Sequence, residues 1–311
     1  MNVPHRAILV FLDGVGIGAD DAAFNAFAAA SLPRLQTLLG GRRLVAEEMD
    51  ADGRIVAERA VLAAADATLG VEGLPQSGTG QTTLLTGRNG AAEYGRHFGP
   101  WVPTPLRPML AAENLLQRAV DAGRTAAFAN AYPLSGAPAD PRIFRRPAGP
   151  MLAAQSAGAL TRGAMELAEG RAVASSITNE RWRETLGSDI PQVTPEEAAR
   201  TLARIAAGAD VTLFAHYDTD YTGHRGALNG AIAALERVDA FLGALADALP
   251  ADTLLVVSSD HGNVEDVRGG HTLNPVPVLA LGAGHERFAD AASLMHVTPM
   301  ILDALGIARA G

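Results

Sequence analysis

The chain has 311 residues, 48% of them apolar, enough to bury a large core as one α/β domain with an insertion or as two lobes. It contains no cysteine, which excludes disulfides, thiolate metal ligands and cysteine nucleophiles, and its net charge of −9 argues against a general nucleic-acid binder and for a small substrate. All 25 basic residues are arginine, as a GC-rich coding bias would give, so an anionic ligand must be gripped by guanidinium forks, backbone amides or metal.

Residues 6–12 (RAILVFL) form a short apolar run that ends at Asp13-Gly14-Val15-Gly16, the pattern of a buried strand followed by a tight loop. The run is too short for a signal-peptide core or a membrane span, which reads as a cytoplasmic protein. A helix is expected over about 22–39, then a hairpin within 42–70 that turns at Asp52-Gly53, then the Gly-rich stretch GLPQSGTGQTTLLTG from Gly73 to Gly87. A helix over 106–122 should stop at Gly123 and lead into the strand-like TAAFANAY.

From Pro133 to Pro191 the sequence changes to Pro, Gly and Arg clusters such as GAPADPRIFRRPAGP. Thr194-Pro195-Glu196-Glu197 then marks a helix start, with Thr194 as cap, Pro195 in the first turn and Glu197 closing a capping box. The helix should reach Ala207. The strand VTLFAHYD, a helix over 227–249, the strand TLLVV, the strand VPVLALG and a helix over 298–305 follow. This alternation predicts an α/β three-layer sandwich with a mostly parallel central sheet. Residues 1–132 and 192–311 would form the core, and 133–191 a small inserted lid.

Polar residues of one chemical type stand at four expected strand ends. They are Asp13, Ser77 in the Gly-rich loop, Asp220 with His224, and Asp260 and His261 with His271. Each residue alone is more often a loop or structural group. Together they supply carboxylates, imidazoles and a hydroxyl in the number a two-metal site requires, at the carboxyl ends of strands where open α/β sheets bind ligands. With so much imidazole, Mn²⁺ or Zn²⁺ is expected over Mg²⁺.

The motifs FLDGVGIG, GLPQSGTGQTTLLTGR, DYTGHRG, SDHGNVED and GHTLNPVPV resemble those of the alkaline phosphatase superfamily, in its metalloenzyme branch of cofactor-independent phosphoglycerate mutase and phosphopentomutase. The resemblance covers the core on both sides of 133–191 and implies an alkaline phosphatase-like fold. It implies that Asp13, Ser77, Asp260 and His261 hold one divalent ion, and Asp220, His224 and His271 a second. Ser77 would be the nucleophile, activated by metal and forming a phosphoserine, with Thr79 and Thr82 as rival hydroxyls. The loop departs from the mutases where Gly78-Thr79-Gly80-Gln81 replaces the expected Glu-Val-Gly-His, and the lid is far shorter than the mutase cap. Sulfatase chemistry is disfavoured, because there is no cysteine and Ser77 lacks the following Pro and Arg.

These features favour a phosphohydrolase acting on a small phosphorylated substrate, with no nucleic-acid or membrane partner. A phosphomutase is the alternative, since both share every metal-contacting residue. A mutase must keep water from its phosphoserine, and the short lid argues against that. Arg88, Arg142, Arg145 and Arg146 are the candidate substrate contacts.

Overall fold

The computed structural model describes residues 3–134 and 142–307. Seven strands, β1 (Arg6–Leu12), β2 (Arg54–Val56), β3 (Ala60–Ala65), β4 (Ala126–Phe128), β5 (Val211–His216), β6 (Thr253–Ser258) and β7 (Val276–Gly282), form one sheet in the order β2-β3-β7-β6-β1-β5-β4. β6, β1, β5 and β4 pair in parallel, while β7 is antiparallel to both β6 and β3, and β2 is antiparallel to β3. All strands but β7 and β2 therefore point the same way, so the sheet is mixed and mostly parallel.

The buried strands read as continuous apolar runs because both faces are covered. In β1, Ala7, Leu9 and Phe11 face one apolar cluster and Ile8, Val10 and Leu12 the other, the period of two that a strand imposes. Helices Ser77–Thr86, Arg107–Glu113, Leu115–Asp121, Gly149–Ser156 and Leu294–Ala304 cover the first face. Helices Pro33–Leu38, Pro195–Ala207 and Leu228–Ala248 cover the second. Thr194 Oγ1 accepts from Glu197 N while the Glu197 carboxylate accepts from Thr194 N, closing the expected capping box.

Several element boundaries differ from the sequence reading. The helix expected over 22–39 is two short ones, Ala26–Ala29 and Pro33–Leu38, because Pro33 starts a new helix and holds the preceding residue out of helical conformation. The helix over 106–122 breaks at Asn114, whose side chain accepts from the amides of Leu116 and Gln117 and so caps a fresh helix. The hairpin turns at residues 57–59, closed by Ala57 N donating to Ala60 O, and not at Asp52-Gly53. Asp50 instead accepts from the amides of Asp52 and Arg54 and makes a local loop there.

The described residues of 133–191 fall into two parts. Helix Gly149–Ser156 places Ala153 and Ala154 in the main apolar cluster, so it belongs to the sandwich. Leu167, Ala172, Ala174 and Ile190 instead gather with Ala131 in a small cluster of their own. That smaller body sits over the carboxyl end of β5, where His216 Nδ1 donates to Ser175 O at 2.7 Å and Arg181 pairs with Asp218 at 2.8 Å. Among the described residues, no helix is long and apolar enough to cross a membrane.

Candidate metal centre

Sheet register decides which loops meet. Phe11 is level with Ser258 and Leu12 with His216, so Asp13, Asp260 and the helix Asp218–His224 all emerge at one edge. β7 enters from that same edge, with Val276 beside Ala65, the last residue of β3. His271 therefore stands just before β7, and Ser77 on the chain leaving β3, over the same ground. Gly14, at φ +67°, makes the tight turn after Asp13; a Cβ there would lie 2.6 Å from Asp220 Oδ1, so only glycine lets the two loops close up.

The side chains gather in two groups, Asp13 with Asp260 and His261, and Asp220 with His224 and His271. Within each group one ligand atom per residue lies within 4.8 Å of the others. In the first, His261 Nε2 lies 3.4 Å from Asp13 Oδ1 and 3.7 Å from Asp260 Oδ2, and 3.0 Å from Ser77 Oγ. In the second, Asp220 Oδ1 lies 3.4 Å from His224 Nε2 and 3.8 Å from His271 Nε2. The rings of His261 and His271 stack with centroids 3.7 Å apart, so the two groups abut.

The donor set fits divalent cations. Asp13 Oδ1 is buried with no hydrogen-bond partner, an acceptor aimed into the first group. His271 Nδ1 donates to Pro75 O at 2.8 Å, which fixes the tautomer and leaves Nε2 as a lone-pair donor facing Asp220 and His224.

Electrostatics point the same way. Burial, and after it the charge of Asp260, raises Asp13 well above the carboxylate range, and burial raises Asp260. Burial alone would lower His261, but Asp260 and Asp13 outweigh it and hold the imidazole at about 10. The two buried carboxyls thus favour positive charge beside them, as a site for a divalent cation would. His271 is pushed down to about 4 by burial and then by the neighbouring His261, so it is neutral at pH 7.

Residues 187–309 match the metalloenzyme superfamily profile. Alkaline phosphatase from the Antarctic bacterium TAB5 superposes over 99% of this chain and 100% of its own, at TM-score 0.54 and 14% identity. The fold is alkaline phosphatase-like.

A phosphoglycerate mutase from Leishmania mexicana is similar over 99% of this chain and 96% of its own, at TM-score 0.50 and 14% identity. In sequence, the 2,3-bisphosphoglycerate-independent phosphoglycerate mutase of Paracoccus denitrificans is 38% identical over 122 residues, 36% of this chain and 24% of that enzyme. That of Desulforudis audaxviator is 36% identical over 128 residues, 38% of this chain and 25% of the enzyme. The chain thus spans about a quarter of the length of the curated relatives it matches.

In this alkaline phosphatase-like frame Ser77 opens a helix in which all ten residues are buried. The rival hydroxyls are committed elsewhere. Thr82 Oγ1 donates to Gly78 O at 2.7 Å, and Thr79 Oγ1 accepts from Phe98 N at 3.2 Å while facing Gln76 O. Ser77 Oγ alone of the three faces the metal-type ligands. The helix approaches so closely that a Cβ on Gly80 would lie 2.6 Å from Asp260 O.

Two buried residues inside the motifs, given no role by the sequence reading, hold the centre together. Gln81 Nε2 donates to Asp260 Oδ2 at 3.1 Å and Asp13 Oδ2 at 3.4 Å. The Glu265 carboxylate accepts from Gly16 N, Asn263 N, Asn274 Nδ2 and Thr272 Oγ1, tying the first loop to both sides of the last. No periodicity marks either residue, and each lies among other polar residues in sequence.

The arginines fare unevenly. Arg88 follows the far end of the Ser77 helix, about 15 Å from its start at 1.5 Å per residue. Its guanidinium pairs with Glu93 and Glu113. The side chain of Arg142 lies outside the described residues. Arg145 is exposed, and its carbonyl accepts from Arg107. Arg146 stacks 4.3 Å from the ring of Trp101, whose carbonyl abuts Gly78 beside Ser77.

Proposed function

We propose that the protein is a two-metal phosphohydrolase that cleaves a small phosphate ester through a phosphoserine on Ser77. The observation that carries this reading is the meeting of Ser77 Oγ with His261 Nε2 at 3.0 Å, at the junction of two carboxylate-imidazole groups. Asp13, Ser77, Asp260 and His261 would hold one divalent ion, and Asp220, His224 and His271 the other. Mn²⁺ or Zn²⁺ suits the imidazole content. When bound, such ions lower the pKa of a coordinated hydroxyl and neutralise charge on the phosphoryl oxygens.

The chain's own residues do the rest. Ser77 sits at the first turn of a rigid buried helix, so its hydroxyl is presented with little freedom to lose. Attack on phosphorus transfers the phosphoryl group to Oγ and expels the alcohol; water then releases phosphate and regenerates the serine. Arg146, held by Trp101 close to the Ser77 loop, is the arginine we assign to substrate oxygen atoms.

Water access favours hydrolysis over mutase chemistry. The side chain of His224 is 49% exposed, and helix Gly149–Ser156 is consumed by the core, leaving, among the described residues of 133–191, a small body near the site. The sequence relatives favour the second reading, a phosphomutase, because those named above are phosphoglycerate mutases. Turnover in ¹⁸O-labelled water separates the two. Hydrolysis places label in released phosphate. Isomerisation of phosphoglycerate or a pentose phosphate without phosphate release would establish the mutase.

A further inference from the structure

Gln81 occupies an unusual position for a neutral side chain. It is 1% exposed and sits against two buried carboxyl groups. Its amide is fully determined. Gly149 N donates to Oε1 at 2.8 Å, so the oxygen cannot turn toward the carboxylates. Nε2 is left to donate to Asp260 Oδ2 at 3.1 Å and, more weakly, to Asp13 Oδ2 at 3.4 Å. These are the outer oxygen of Asp13 and one oxygen of Asp260, whose Oδ1 in turn accepts from Gly14 N at 3.3 Å. The oxygen of Asp13 left without a partner is Oδ1, the one nearest His261 Nε2.

We propose that Gln81 is a positioning residue for the first metal group. By engaging Oδ2 of Asp13 and Asp260 it makes Asp13 present a single free oxygen, Oδ1, to the cation, and it ties that geometry to the backbone of helix Gly149–Ser156. This inference rests on the two-metal reading above. Hydrogen-bond partners that orient a metal-binding carboxylate typically change metal affinity by about 10- to 100-fold when removed. An amide does this without adding charge to a pair that already repels.

The test is a calorimetric titration of the metal-free full chain with Mn²⁺. Wild type is expected to show two sites, and the His271→Ala chain the first site alone. In that background Gln81→Met, close in size but without donors, should weaken the remaining site by about 10- to 100-fold. Gln81→His, which restores one N–H, should recover part of the loss and serves if the Met variant does not fold. In the otherwise wild-type chain, Gln81→Met should leave the second site unchanged. Unaltered first-site affinity with a lowered melting temperature would show that Gln81 only fills the core and overturn the proposal, as would equal weakening of both sites. A wild-type chain that takes up no Mn²⁺ would sink the two-metal reading itself, an outcome distinct from either.

Discussion

His224 Nε2 and His271 Nε2 lie 3.1 Å apart, although 47 positions separate them in the chain. One comes from the end of the helix after β5, the other from the loop before β7. His271 is held neutral by burial and by His261, and its Nε2 stands with His224 and Asp220 in a group able to hold a cation. His271→Ala is accordingly expected to lower the divalent-ion stoichiometry from about two to about one, without loss of fold. Metal analysis of the dialysed protein, with circular dichroism alongside, checks this. Two ions retained in the variant would place the second site elsewhere.

Ser77→Ala should lower kcat on an aryl phosphate ester by several orders of magnitude, because Thr79 and Thr82 are committed to the helix and to the Phe98 segment. The expected melting temperature is near that of wild type, since only one hydroxyl is lost. Near-normal turnover would assign attack to another hydroxyl or to water.

The sheet and the ligand groups were legible in the sequence for a common physical reason. Buried parallel strands are continuous apolar runs, and their carboxyl ends coincide in space, so Asp13, Asp220 and Asp260 could be placed together before any register was known. What the sequence did not carry was the partner of each loop. Gln81 is one more polar residue in a Gly-Thr-rich helix until Asp13 and Asp260 arrive from sequence positions far away. Helix 149–156 looked like part of a lid because its Ala-rich face acquires meaning only once the helices Ser77–Thr86 and Arg107–Glu113 supply a surface to pack on. Arg88 meets Glu113, 25 positions away, only in the fold.

Glu265 is expected to matter for stability as much as for chemistry. Glu265→Ala leaves the buried amides of Gly16 and Asn263, and the Thr272 and Asn274 side chains, without their acceptor. At about 1–3 kcal/mol for each of the two buried amides left unpaired, a total of about 2 to 6 kcal/mol is expected. Urea denaturation of the metal-free proteins measures it. A loss below about 1 kcal/mol would show that the two loops hold together without this carboxylate.

His216 gives the metal-free protein an acid sensitivity of stated sign. Burial lowers its pKa against the opposing pull of Asp218, and Nε2 has no hydrogen-bond partner. The folded state therefore binds a proton less readily than the unfolded chain. As pH falls below about 6.5 the unfolded chain protonates first, and stability declines by up to about 1.4 kcal/mol per pH unit until the folded-state pKa is reached. Above that range the penalty is absent. His216→Gln, which keeps a donor for Ser175 O, should flatten this part of the stability–pH curve. An unchanged slope in the variant would assign the acid sensitivity to other groups.

The most direct measurement is capture of the covalent intermediate. The Mn²⁺-loaded protein is mixed with an aryl phosphate ester, quenched in acid during turnover and digested at arginine. Ser77 then lies in the peptide between Arg59 and Arg88. One phosphoryl group on Ser77 is expected, lost in Ser77→Ala and after chelation. A protein that turns over substrate while this peptide stays unmodified, or carries its phosphate on a threonine, would contradict phosphoryl transfer through Ser77.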